Sequence, residues 1–302
     1  LIIMTDTSSK QMPGFGTYRL VGEDARKATC YALKQGYGQI DTAPRYDNLE
    51  HVGRGISESG RSRSSFRITT KISHDALNDP DEGSVKRMFF ETIKKLGVDY
   101  VDEVILHDPT EAVRNWGRLV SLYQNEGRGL IGRIGVSNFG IDDIVKIVDA
   151  SGVTPSVNQI EINPFFTQRK LVEACKEKGI EIVGHSPLAK AELMDEQKLL
   201  GVAKQMTEKA GTVVTPAQVM LSWGIKMGHR VIPRSKNTDH IDENLKVQAN
   251  AGSEVFELDD DMMRIMSTLD YGYVTHPQYL KPGTPRVTKK DILKMRRMNG
   301  EL

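Results

Sequence analysis

The stretch Val101-Asp102-Glu103-Val104-Ile105-Leu106-His107 decides how this chain folds. Val104, Ile105 and Leu106 form an unbroken apolar run, which marks a strand covered on both faces, whereas a strand with one wet face would alternate. The run stops at a histidine. Outward from it, comparable segments recur at 14–18, 38–42, 67–71, 131–137, 156–161, 181–185 and 230–234, which with 101–107 makes eight strand candidates. Helical patterns separate them. Val85, Met88, Phe89, Thr92, Ile93 and Leu96 step by three and four to give one apolar stripe, and Val113, Trp116, Leu119, Val120 and Tyr123 repeat it. Both tryptophans, Trp116 and Trp223, fall on such stripes as core residues. Two helical segments, 195–210 and 215–226, fall between the seventh and eighth strands. Strands alternating with helices throughout 302 residues define one domain, 1–302, of the α/β class. The pattern is that of a (β/α)8 TIM barrel, with a doubly wound sheet as the alternative. The first 12 residues are expected to form an N-terminal hairpin under the barrel floor, 271–285 a C-terminal loop over the barrel mouth, and 286–302 a solvated amphipathic helix.

Composition removes several classes of function. Hydrophobic residues are 38% and charged residues 27%, the balance of a soluble globular chain. Lys+Arg (41) and Asp+Glu (40) nearly cancel, so a net charge of +1 gives no global field for nucleic acid or an anionic membrane. Residues 1–4 are too short an apolar run for a signal peptide or a span. Cys30 and Cys175 lie in helical patterns and read as packing residues of a cytoplasmic, reducing compartment. There is no HxH or HExxH spacing, so no metal is expected, and Gly184-His185-Ser186-Pro187 is not a GxSxG elbow. Gly127-x-Gly129-x-x-Gly132 matches a dinucleotide fingerprint but in the wrong order, with a helix before it and a strand after it; it reads as a turn.

Four polar residues stand at or just beyond predicted strand ends. Asp41 closes Gly38-Gln39-Ile40-Asp41, Tyr46 follows five residues later, Lys71 ends Thr69-Thr70-Lys71, and His107 ends the fourth strand. Active residues of such barrels come from strand C-terminal ends. Together with their flanking residues, the four resemble the tetrad of the aldo-keto reductase superfamily, and the resemblance runs from about residue 12 to about 269. It implies NAD(P)H-dependent reduction of a small-molecule aldehyde or ketone, with Tyr46 as the general acid. A free tyrosine has a pKa of about 10, and bringing it to about 7 takes about 4 kcal/mol. One cation about 4 Å away in a medium of effective dielectric about 20 supplies that much. Lys71 would be the cation, Asp41 would hold it, and His107 would orient the carbonyl.

The resemblance extends to a cofactor site. Gly135-Val136-Ser137-Asn138-Phe139 is similar to the family's nicotinamide segment, which implies that Ser137, Asn138 and Gln159 bind the carboxamide. Thr17, Ser186 and Leu188 are implied as further contacts. His185 stands where the family usually has a stacking tyrosine. Val231-Ile232-Pro233-Arg234-Ser235-Lys236-Asn237 resembles the adenosine-phosphate segment, with Arg234, Ser235 and Lys236 at the phosphate, His240 where arginine is common, and Glu243 and Asn244 at the adenine. Two cations near one loop favour NADPH over NADH.

The substrate pocket departs from the family pattern. Tyr18 replaces a frequent tryptophan, Asp108-Pro109 replaces Trp-Pro, and Arg45 precedes Tyr46. Arg45 and Asp108 would favour a small polar or anionic carbonyl compound, unless they pair with each other at the rim. The other reading of the chain is a non-enzymatic nucleotide-binding regulatory module on the same barrel. The expected oligomeric state is a monomer or weak homo-oligomer.

Overall fold

The computed structural model describes residues 12–280 and 284–298. The hairpin expected at the start lies outside the described residues but for Met12. In chain order the elements are β1 (Gly14–Gly16), α1 (Gly22–Gln35), β2 (Gln39–Asp41), α2 (Leu49–Glu58), β3 (Arg67–Ile72), α3 (His74–Asn78), α4 (Ser84–Leu96), β4 (Val101–Leu106), α5 (Ala112–Gln124), β5 (Ile131–Ser137), α6 (Ile141–Ser151), β6 (Val157–Glu161), α7 (Arg169–Glu177), β7 (Glu181–His185), α8 (Gln197–Ala210), α9 (Pro216–Lys226), β8 (Arg230–Val231), α10 (Thr238–Ala249), α11 (Asp260–Ser267) and α12 (Lys289–Met298). The eight strands pair in parallel in chain order, forming a (β/α)8 barrel. No helix among the described residues is long and apolar enough to cross a membrane.

The barrel closes where β1 meets the segment after β8. Gly16 N–H donates to Pro233 O at 3.0 Å. A Cβ on Gly14 would lie 2.7 Å from Val231 O and one on Gly16 2.9 Å from Ile232 O, so glycine permits the close approach. β8 is only two residues long, against the five expected, because Pro233 has no N–H for a ladder. The expected helical stripes face the core, with Val85, Phe89, Thr92, Leu96, Trp116, Leu119, Val120 and Trp223 buried and Met88, Ile93 and Tyr123 half-buried against it; Val113 is exposed. Gly127 and Gly129 lie in the turn from α5 into β5, and Gly132 is the second residue of β5.

Two layers fill the barrel beneath its mouth. At the floor, the buried Arg230 donates to Gln39 Oε1 at 2.6 Å, Glu181 Oε1 at 2.9 Å and Glu103 Oε2 at 3.1 Å. Arg133 joins Glu103 at 2.6 Å. Burial alone would raise the Glu103 pKa, but the charges of Arg230 and Arg133 outweigh it and hold the carboxyl below its usual range. Above this network Ile105, Val157, Val183 and Ile232 form an apolar plug. The C-terminal helix is docked, not solvated: Ile292 is 1% exposed within the main core, and Lys289 reaches Asp195 at 3.0 Å.

Candidate active site

Parallel pairing brings strand ends to one level. Lys71 lies opposite Ile105, Ser137 opposite Gln159, and Glu161 opposite His185. Asp41 is the last residue of β2. Lys71 is the next to last of β3, which runs one residue further than expected. His107 follows β4 and its N–H donates to Ile72 O at 3.0 Å. Tyr46 ends the single turn Pro44–Tyr46 that leaves β2. The sequence-predicted tetrad therefore meets at the mouth.

Lys71 Nζ donates to Asp41 Oδ1 at 2.6 Å and to Thr42 O at 3.2 Å, and Gln159 Nε2 donates to Asp41 Oδ2 at 2.7 Å. The ammonium stands 5.1 Å from the Tyr46 ring centre. The Tyr46 ring meets His107 edge-on at 5.9 Å and Tyr18 at 5.0 Å. Enclosure in the cleft holds the Tyr46 phenol well above its ordinary pKa, and the Asp41 charge adds to this. The Lys71 ammonium that was expected to draw the phenol down is shared with the Asp41 carboxylate, so it stands against desolvation only as one half of an ion pair. Desolvation pushes the His107 pKa well below its ordinary value, helped by the charge of Lys71. Its imidazole is neutral, with Nδ1 3.4 Å from Ser73 Oγ.

A cleft of about 930 Å³ opens above these residues. Tyr18, Arg45, Ser137, Asn138, Gln159, His185, Ser186, Leu188, Arg234, Ser235, Lys236, His240, Glu243 and Asn244 all line it, as the sequence led one to expect. Thr17, Lys71 and Asp108 do not. Thr17 is buried with its hydroxyl on Asp41 O at 3.0 Å, and Lys71 lies buried against Asp41. Asp108 accepts from Thr110 N–H at 3.0 Å and faces His74 at 3.7 Å. Among the described residues it forms no ion pair with Arg45, so the pairing considered for these two is not seen. Lys236 is also engaged, with Asp24 at 3.1 Å.

One chain of hydrogen bonds crosses the cleft wall. Asn138, in the left-handed conformation at φ 61° that asparagine tolerates, donates through Nδ2 to His107 O at 3.1 Å. Its Oδ1 then faces His185 Nε2 at 3.0 Å, so that nitrogen carries the proton. Burial pushes the His185 pKa down to about 3, so its Nδ1 is an acceptor for Ser186 Oγ at 3.3 Å. His185 thus anchors Asn138.

The donor set suits a dinucleotide phosphate. At one end, Arg19 and Arg234 have no carboxylate partner among the described residues, and burial followed by Arg19's charge lowers the Arg234 pKa. An anion there would relieve the crowding of two cations. At the other end Ser137, Asn138 and Gln159 offer hydroxyl and amide groups. The wall also includes Lys190, His276, Gln278 and Tyr279, which the sequence did not single out. The turn Ala189–Ala191 holds three successive residues at positive φ (46°, 54° and 60°), a strained backbone beside the cleft. The composition of 271–285 marked a loop but carried no sign of which side chains would face inward.

The chain belongs to the aldo/keto reductase family, whose model matches residues 14–270. It is 35% identical over 275 residues to an aldo-keto reductase of Mycobacterium sp. (strain MCS), covering 90% of this chain and 91% of the relative. It is 33% identical to aldehyde reductase YPR1 of Saccharomyces cerevisiae, covering 85% and 86%. Among solved structures, a variant of Gox0644 in complex with NADPH superposes with a TM-score of 0.77 at 31% identity, covering 89% of this chain and 94% of that one. The protein is an oxidoreductase of the NAD(P)H-dependent aldo-keto reductases.

Proposed function

We propose that this protein reduces a small polar aldehyde or ketone to the alcohol, with NADPH as the reductant and Tyr46 as the general acid. The observation that carries this reading is the ordered stack of Lys71–Asp41, Tyr46 and His107 at the base of one cleft. When bound, NADPH supplies the hydride. Ser137, Asn138 and Gln159 would hold its carboxamide end, and Arg234 with Arg19 its phosphate end. A neutral His107 donates one hydrogen bond from its ring N–H and so aligns the carbonyl oxygen without competing for the proton. Tyr46, kept protonated, delivers its proton to that oxygen as the negative charge develops. The buried Lys71–Asp41 pair fixes the floor beneath the phenol. Arg45, exposed at the rim with no acidic partner among the described residues, supports a polar or anionic substrate.

The test is consumption of NADPH by the wild type and by Tyr46→Phe across aromatic aldehydes, dicarbonyls, keto acids and aldoses. Turnover that depends on Tyr46 supports the reading. Tight NADPH binding with no turnover on any carbonyl would make the chain a nucleotide-binding module.

A further inference from the structure

His276 lies outside the tetrad, on the segment that follows α11. Its ring joins the cleft wall among Tyr18, His185 and Tyr279, at centre distances of 6.1, 5.4 and 6.3 Å. Glu161, at the end of β6, is committed to this segment. Its Oε1 accepts from the Thr275 N–H and hydroxyl, both at 2.7 Å. Its Oε2 accepts from His276 N–H at 2.9 Å and lies 3.3 Å from the ring Nδ1. Burial works against the charge of Glu161, but hydrogen bonds from His276 and Thr275 outweigh it and hold the carboxyl below its usual range. An ionised carboxylate only accepts, so Nδ1 carries a proton. Thr275 gives the same answer independently. Its hydroxyl proton is directed to Glu161, so 3.0 Å from Nδ1 that oxygen is an acceptor. Ser186 Oγ, also 3.3 Å from Nδ1, gives its own proton to His185. With Nδ1 committed to Glu161, Nε2 is the ring nitrogen left for a partner in the cleft. Among the described residues Nε2 has no hydrogen-bond partner.

We propose that His276 determines specificity by sharing, through Nε2, a hydrogen bond with a substrate hydroxyl beside the reacting carbonyl, and that Glu161 is the residue that positions it. The inference rests on the carbonyl-reductase reading and narrows its substrate class to α-hydroxy aldehydes and ketones. A placed polar group discriminates strongly against an analogue lacking the hydroxyl, because the group is then left unpaired.

Glycolaldehyde and propanal are a matched pair, since one carries a hydroxyl where the other carries a methyl. The wild type, His276→Phe, His276→Gln and Glu161→Gln are assayed with both aldehydes, and NADPH binding is followed by fluorescence. The expected result is a KM for glycolaldehyde raised about tenfold in His276→Phe, with its kcat and both propanal constants unchanged. His276→Gln, whose amide reaches to the place of Nε2, restores most of the difference. Glu161→Gln raises the glycolaldehyde KM alone. Equal changes for the two aldehydes, or none, would overturn the assignment. Should His276→Phe not fold, Glu161→Gln against the wild type decides by the same comparison. A wild type that binds NADPH and reduces neither aldehyde overturns the reductase reading itself, and the inference with it.

Discussion

Lys71 Nζ stands 2.6 Å from Asp41 Oδ1 with both side chains almost wholly removed from solvent, and Gln159 closes the other carboxylate oxygen at 2.7 Å. A buried ion pair adds little to stability over an apolar pair, but breaking one by removing a single partner is costly. Asp41→Asn leaves the ammonium buried without its counter-charge. We expect it to cost about 3–5 kcal/mol in urea unfolding and to abolish turnover. Unchanged stability in that variant would mean the pair is open to water.

The protonated state of Tyr46 has a kinetic consequence. Its pKa lies well above the ordinary value, because the cleft desolvates the phenolate and Asp41 repels it. A group acting as an acid fails only when pH rises through its pKa, and kcat/KM reports the free enzyme. The rate of carbonyl reduction is therefore expected to show no alkaline limb between about pH 7 and about pH 9. A limb near 7 would restore the phenol that the sequence alone suggested, tuned down by Lys71.

Residues that act through strand periodicity were legible before the structure. Asp41, Lys71, His107 and Ser137 stand at the ends of predicted strands, and parallel pairing then brings them together. Other features depend on closure in three dimensions. Glu103 and Arg230 are 127 residues apart and carry no motif, and only the closed barrel makes them partners at 3.1 Å. The amphipathic pattern of α12 could not say what covers Ile292. Asp108 was placed in the pocket because it follows His107, yet its carboxylate turns to Thr110 and His74. His276 carried no periodic signal, since its position is set by Glu161, 115 residues away.

His229 is buried beside Trp223, and burial lowers its pKa to about 4. The unfolded chain takes up a proton as pH falls through about 6.5, while the folded chain does not until about 4. Stability is therefore lost on acidification across that window, by up to about 1.4 kcal/mol per pH unit from this group. Between pH 7 and pH 5, His229→Gln should lose about 2 kcal/mol less than the wild type in urea unfolding. Equal losses would show that His229 is protonated in the native state.

Arg234 crowds against Arg19 at the end of the cleft assigned to the cofactor phosphate. Arg234→Ala is expected to weaken NADPH binding by about tenfold to a hundredfold, with little change for NADH, as loss of one charge-assisted contact implies. Fluorescence titration of both cofactors at two salt concentrations measures this. Parallel losses for the two cofactors would place Arg234 away from the distinguishing phosphate.

Tyr46→Phe removes one hydroxyl from the point where the tetrad meets and leaves the walls of the cleft intact. Its turnover number, measured beside its NADPH dissociation constant, tests the proposed chemistry most directly. The expected result is a turnover reduced by about two to four orders of magnitude with cofactor affinity unchanged. Turnover at the wild-type rate would contradict the assignment of Tyr46 as the proton donor.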